Sequence, residues 1–75
     1  MVIPLSHIKP GERCRVVWVA SETHMKQRLT DLGFAPDEFL SCVLKPHRGG
    51  MSAYLVQGAV IALRHENANE IFVEL

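Results

Sequence analysis

The chain has 75 residues, with eight basic and eight acidic side chains and no formal net charge. This length allows one hydrophobic core and excludes an enzyme cleft between two domains, and the lack of a basic excess argues against a dedicated nucleic-acid binder. No apolar run exceeds five residues, which excludes a membrane-spanning helix, and two cysteines are too few for a disulfide scaffold. We therefore expect a cytoplasmic protein without direct membrane insertion.

The first third of the chain predicts a turn followed by a strand. Residues 5–8 lie between Pro4 and the pair Pro10-Gly11, which favours a short turn. Residues 13–20 then alternate in polarity, and one face of this strand is predicted to carry Cys14, Val16, Trp18 and Ala20.

The next segment predicts a single short helix over about residues 21–32. Ser21 is a favourable N-cap residue, and the negative charge of Glu22 suits the helix dipole. Gly33 can adopt the left-handed conformation that ends a helix, which would bring Phe34 back towards Leu29. The apolar stripe of this helix consists of Met25, Leu29 and Leu32.

The remainder of the chain predicts β structure. Alternating segments cover residues 39–44, 51–56, 60–64 and 71–75, with a chain reversal expected at Gly58-Ala59 and a turn over residues 65–69. Five short strands and one helix in so few residues predict a mainly β, small barrel on which the helix lies as a lid. The Val17 and Val19 face and Tyr54 are expected to line a groove beside that helix.

The histidines and cysteines do not form a spacing typical of a metal site. His7, His24, His47 and His65 lie in four different segments, whereas zinc sites draw at least two ligands from one local element. We therefore predict no cofactor and no metal site, with an adventitious divalent metal as the next outcome. Both cysteines fall on apolar strand faces and are expected to be buried, inert thiols.

No catalytic constellation is present either. The serines lie in predicted strands, turns or caps, and the sequence has no G-x-S-x-G motif and no phosphate-binding loop. We therefore expect a protein that is not an enzyme, and whose function depends on a surface that binds a partner.

The order of motifs resembles the FeoA family. The resemblance runs from about residue 5 to residue 75 and places five motifs in one register. They are residues 9–11 (KPG), residues 28–36 (RLTDLGFAP), residues 49–50 (GG), residues 58–64 (GAVIALR) and residues 68–73 (ANEIFV). Two positions depart from the family pattern, because Asp37 stands where Gly commonly follows the proline and Met51 where Pro often follows the double glycine.

The resemblance implies a five-stranded SH3-like barrel and a cytosolic, non-catalytic accessory role in bacterial ferrous iron uptake. It also implies a partner, FeoB, which is a membrane permease with a cytoplasmic G-protein domain. The same barrel is similar to the C-terminal domain of iron-dependent repressors, so a metal-binding or metal-sensing domain is the alternative. That alternative would use ligands from the set His24, His47, His65, Cys14 and Cys42.

Two further expectations concern binding surfaces. A nucleic-acid-binding barrel would use Arg13, Arg15, Lys45 and Arg48, and the zero net charge disfavours it. Exposed edge strands would permit weak homo-oligomers. For the permease partner, the predicted contact residues are those of the helix, its C-terminal end and the following basic loop, namely Met25, Arg28, Leu29, Leu32, Phe34, His47 and Arg48.

Overall fold

A computed structural model describes residues 1–46 and 49–75 of the chain. The fold is mainly β with one short helix of two and a half turns. The strands are β1 (Val2–Pro4), β2 (Arg13–Val19), β3 (Phe39–Leu44), β4 (Met51–Val56), β5 (Ala59–Arg64) and β6 (Ile71–Glu74). The helices are α1 (Thr23–Asp31) and the single turn α2 (His65–Ala68), and a 3₁₀ turn covers Leu5–His7.

The strands form one antiparallel sheet in the order β1-β6-β2-β3-β4-β5. The mainly β prediction is confirmed, but the described residues contain six strands instead of five and the sheet stays open between β1 and β5. Strand β1 was missed because it is three residues long and ends on a proline. Within residues 1–46 and 49–75 it pairs with β6 alone, from the other end of the chain, and proline is tolerated there because β1 is an edge strand.

A bulge in β2 changes the predicted alternation. Val16 pairs with Val73 and Trp18 pairs with Phe72, so β2 has one extra residue between these pairs. Trp18 is therefore turned outward and stacks on Phe72 with a centroid distance of 5.3 Å, while Val19 enters the core. A similar irregularity between Cys42 and Leu44 leaves Leu44 exposed.

The end of α1 has the predicted geometry. Gly33 has φ of +109°, its N–H donates to the Thr30 carbonyl at 3.0 Å, and the Phe34 N–H donates to the Leu29 carbonyl at 2.9 Å. This pair of bonds is the Schellman motif. The start differs from the prediction, since Glu22 is the N-cap residue and Ser21 is buried, with its hydroxyl donating to Glu70 Oε1.

The core lies between the curled sheet and the segments that cross it. Phe34 and Tyr54 form its aromatic centre, edge to face with centroids 6.3 Å apart. Tyr54 and Val19 are thus buried, and the prediction that they line a groove is wrong, because the β2 bulge and the register of β4 turn both side chains inward. The other core residues are Leu5, Ile8, Cys14, Val16, Leu29, Leu40, Cys42, Val56, Leu63, Ala68, Ile71 and Val73.

The β4–β5 hairpin turns one residue earlier than predicted. Val56 pairs with Ala59, and the two residues between them, Gln57 and Gly58, have φ of +50° and +79°. Two consecutive positive φ values are the hallmark of the tight turn whose twist matches the flanking strands. The turn fixes the register of β5, the strand that forms one wall of the site described below.

Candidate functional site: a groove between the helix and an edge strand

A groove of about 170 Å³ separates α1 from the end of β5. One wall is the helix, and the other is formed by β5 with the start of β4 and α2. The lining residues are Met25, Arg28, Leu29, Leu32, Met51, Ala62, Leu63, Arg64 and Asn67. Both walls contribute apolar surface together with one arginine each.

The helix wall follows from the spacing of its residues. Met25, Leu29 and Leu32 lie at i, i+4 and i+7, which places them on one face. Leu29 is buried and anchors the helix, Met25 packs partly against the core, and Leu32 is 43 % exposed at the C-cap. The middle residue of the stripe, Leu29, therefore packs in the core, and its last residue, Leu32, is exposed at the groove.

The charged side chains that line the groove are both arginines. Arg28 and Arg64 are both exposed, and none of the lining residues is acidic. Among the ion pairs formed within residues 1–46 and 49–75, none involves either arginine. Two guanidinium groups flanking apolar surface favour an occupant with carboxylates beside apolar side chains.

Four of the predicted partner residues meet at this groove, namely Met25, Arg28, Leu29 and Leu32. Phe34 does not line it, because its ring is fully buried as the C-terminal anchor of the helix. The predicted contacts His47 and Arg48 lie outside the described residues. The binding role of the whole set stays a prediction.

The opposite wall was not identified from the sequence. Met51, Ala62 and Arg64 come from strands that follow the helix by 20 residues or more, and spacing along the chain gives no signal for such a contact. Arg64 could have been noticed, because it is the last residue of the motif over residues 58–64. The motif alone, however, does not indicate the direction of its side chain.

Three of the four cations assigned to a nucleic-acid surface form contacts within the fold, and the fourth, Arg48, lies outside the described residues. Arg15 donates from Nη1 to Asp37 Oδ1 at 3.0 Å and from Nη2 to Glu74 Oε1 at 2.8 Å. Arg13 lies 4.8 Å above the centre of the Phe39 ring. Lys45 donates from Nζ to the carbonyl of Ser6, within the 3₁₀ turn, and to that of Ile8, which follows the turn. These contacts give each cation a structural role.

The cysteines are buried, as predicted. Burial raises the pKa of the Cys14 thiol to about 11, because the apolar surroundings and the neighbouring Cys42 both disfavour the thiolate. The pKa of Cys42 is also raised, chiefly by burial. Thiols in this state are poor nucleophiles and poor metal ligands at neutral pH.

The described part of the chain does not bring metal-binding side chains together. Within residues 1–46 and 49–75 there is no cluster of three or more His, Cys, Asp or Glu side chains suited to hold an ion. His7, His24 and His65 are exposed on separate elements. In the same residues, no helix is long and apolar enough to span a membrane.

Comparisons with known proteins agree on one family. The model of the FeoA domain matches residues 3–75. The crystal structure of an iron uptake regulatory protein (FeoA) superposes with a TM-score of 0.90 at 27 % identity, covering 99 % of this chain and 97 % of that one. The solution structure of FeoA from Chlorobium tepidum also gives 0.90, at 29 % identity, with coverages of 97 % and 70 %.

A second group of similar structures shares the fold alone. A manganese-dependent transcriptional repressor superposes with a TM-score of 0.85 at 19 % identity, and the match covers 96 % of this chain but 40 % of the repressor. A search of the curated proteins finds no match. Because the family model spans nearly the whole chain and the FeoA structures superpose with TM-scores of 0.90, the chain belongs to the FeoA family.

Proposed function

We propose that this chain is a non-catalytic accessory protein of ferrous iron uptake that binds the cytoplasmic G-protein part of a FeoB-type permease. The family membership supports the iron-uptake context. The observation that supports the docking site is the groove between α1 and β5, whose lining combines the exposed apolar residues Leu32 and Met51 with two arginines and contains no acidic residue.

The groove suits recognition better than chemistry. Its volume is about 170 Å³, and among the described residues that line it the polar side chains are two guanidinium groups and the Asn67 amide. None of these is a nucleophile or a general base at neutral pH. An apolar strip with flanking charge is typical of a surface that binds a complementary protein segment, in which the apolar contacts give affinity and the charges give orientation.

The proposal is tested by calorimetric titration of the chain with the isolated cytoplasmic domain of the permease from the same organism. The titration is performed with the domain loaded with GDP and again with a GTP analogue. We expect binding in at least one nucleotide state, at micromolar affinity or better. Absence of heat and of co-purification in both states, at tens of micromolar protein, would contradict the proposal.

A further inference from the structure

Strand β5 is an edge of the sheet. It pairs with β4 from Met51↔Arg64 to Val56↔Ala59, and no strand among the described residues pairs with its other side. Its outer backbone groups are therefore open to another strand. The other edge is β1, which is short and carries Pro4, so the two edges are not equivalent.

The hydrogen-bond phase of β5 follows from its register. The His65 N–H donates to the Gly50 carbonyl at 2.7 Å, and bonded pairs alternate with non-bonded pairs along an antiparallel ladder. Ile61 and Leu63 are thus bonded towards β4. The N–H and C=O groups directed away from β4 belong to Val60, Ala62 and Arg64.

Strand β5 lacks the features that usually prevent an exposed edge strand from pairing with another strand, such as a bulge, a proline or several charged residues. Its pairing with β4 continues over six residues without a bulge, it contains no proline, and its one charged residue is Arg64 at its end. Val60 is 61 % exposed, and Ala62 is exposed as well. A regular, apolar, unblocked edge is a template for an added strand.

The open edge and the groove are continuous. Ala62, Leu63 and Arg64 form the groove wall that faces Arg28 and Leu32 of the helix. A strand added to β5 would therefore run along the groove, placing alternate side chains between the edge and the helix. A second copy of this chain suits the site poorly, because antiparallel pairing of two β5 strands would bring four groove arginines to one interface, and no acidic residue lines the groove.

We infer that β5 accepts an extended segment carrying acidic and apolar side chains, which adds as a seventh strand and whose carboxylates face Arg28 and Arg64. This inference rests on the proposed function, since it takes the segment to come from the cytoplasmic part of the permease. The pairing would supply affinity through the backbone and selectivity through the alternate side chains.

The test follows individual amide protons of the isotope-labelled chain by NMR hydrogen exchange. One arm adds the unlabelled cytoplasmic domain, and the other adds short overlapping peptides that cover the sequence of that domain. We expect exchange of the Ala62 and Arg64 amide protons to slow by about tenfold or more on binding. Ile61 and Leu63, which already donate to β4, serve as internal controls and should change much less.

A matched pair of variants separates the backbone contribution from the side chain. Ala62→Pro removes the outward N–H and leaves the bonds to β4 in place, whereas Ala62→Val retains the N–H and enlarges the side chain. We expect the proline variant to bind at least about tenfold more weakly than the valine variant, because both enlarge the side chain but only the valine variant keeps the backbone donor. Retained exchange protection of Leu63 verifies that the hairpin of each variant is folded.

The outcomes distinguish the two proposals. If the domain binds but the edge amides stay unprotected and Ala62→Pro binds like Ala62→Val, the strand-addition inference is overturned while the proposed function stands. If the domain does not bind but a peptide protects the edge amides, the partner is wrong and the edge inference stands. If neither the domain nor any peptide binds, both are overturned.

Discussion

Gly33 lies where the helix meets the β4–β5 hairpin, and the space there is filled. A Cβ built on this residue would lie 2.6 Å from Val56 Cγ1 and 3.2 Å from the side-chain amide carbon of Gln57. Its φ of +109° is also in the region that other residues rarely adopt. Glycine at this position therefore satisfies both the helix stop and the packing of the helix end on the sheet.

We predict that Gly33→Ala lowers the free energy of unfolding by about 2–4 kcal/mol, the sum of a backbone cost and an overpacking cost. Gly11→Ala is the matched control, because Gly11 has φ of +89° but nothing lies within 4 Å of its Cβ position. The control should lose about 1–2 kcal/mol, from the backbone alone. Equal losses in urea denaturation of the two variants would refute the overpacking contribution.

Lys45, named in the sequence analysis only for a disfavoured nucleic-acid surface, connects the 3₁₀ turn to the end of β3. Its ammonium group donates to the Ser6 carbonyl at 2.5 Å and to the Ile8 carbonyl at 3.2 Å. Ser6 lies in the turn and Ile8 directly follows it, so the lysine connects both to the end of β3. The long flexible side chain gave no indication of this contact, since its partners precede it by 37 and 39 residues.

Lys45→Met is predicted to reduce the free energy of unfolding by about 1–3 kcal/mol, because two carbonyls lose a charged donor. The control is Lys26→Met on the exposed surface of α1, for which we expect a change within about 0.5 kcal/mol. Thermal and urea unfolding of both variants provide the measurement. If the Lys45 variant is as stable as the Lys26 variant, the hydrogen bonds from Lys45 Nζ do not contribute to the free energy of unfolding.

Asp37 shows why the departure from the family's common glycine is tolerated. Its φ is +74°, the conformation that glycine adopts easily and that Asp tolerates better than most other residues. The carboxylate also pairs with Arg15. The loop thus keeps a backbone conformation typical of glycine. The other departure from the family pattern, Met51, is the first residue of β4 and lines the groove.

At the scale of elements, the first turn of α1 depends on a carboxylate. Glu22 accepts hydrogen bonds from the N–H of Met25 at 2.6 Å and of His24 at 3.1 Å. The Met25 bond and then the His24 bond lower the pKa of Glu22 below its usual 4.5. Its contribution to stability is therefore present above pH 4.5 and is lost as the pH falls through the lowered pKa.

This dependence predicts a titration that NMR can follow. The amide proton of Met25 should shift with a midpoint below pH 4.5 in the parent chain. In Glu22→Gln, which keeps an acceptor oxygen but cannot ionise, that transition should disappear. A midpoint at or above 4.5, or an unchanged transition in the variant, would be inconsistent with capping by the ionised carboxylate.

The elements differ in how far the sequence could predict them. The helix stop at Gly33 was predicted to the residue, because Gly33 and Phe34 bond to carbonyls only three and five positions away. The bulge in β2 was not, because one extra residue leaves no trace in polarity and is imposed by pairing with β6. Trp18 was consequently assigned to the wrong face, and the burial of Tyr54 was missed because strand phase alone does not say which face is the core.

For the whole molecule, the candidate site depends on the open sheet, because the free edge of β5 forms one wall of the groove. If the sheet closed, β5 would have a neighbour on each side and no edge would face the helix. The sequence identified the helix wall of the groove, since Arg28 and Leu32 lie within one local motif. The β5 wall depends on contacts between distant parts of the chain, and only the three-dimensional arrangement places Arg64 opposite Arg28.

Docking of the permease in the groove between α1 and β5 is tested by comparing two charge reversals on α1. The affinity of each variant for the cytoplasmic domain of the permease is measured. Arg28→Glu changes a groove residue, whereas Lys26→Glu changes an exposed cation outside the groove lining. With both variants folded by circular dichroism, we predict about tenfold weaker binding or more for Arg28→Glu and little change for Lys26→Glu. Equal affinities of the two variants would contradict docking through this groove.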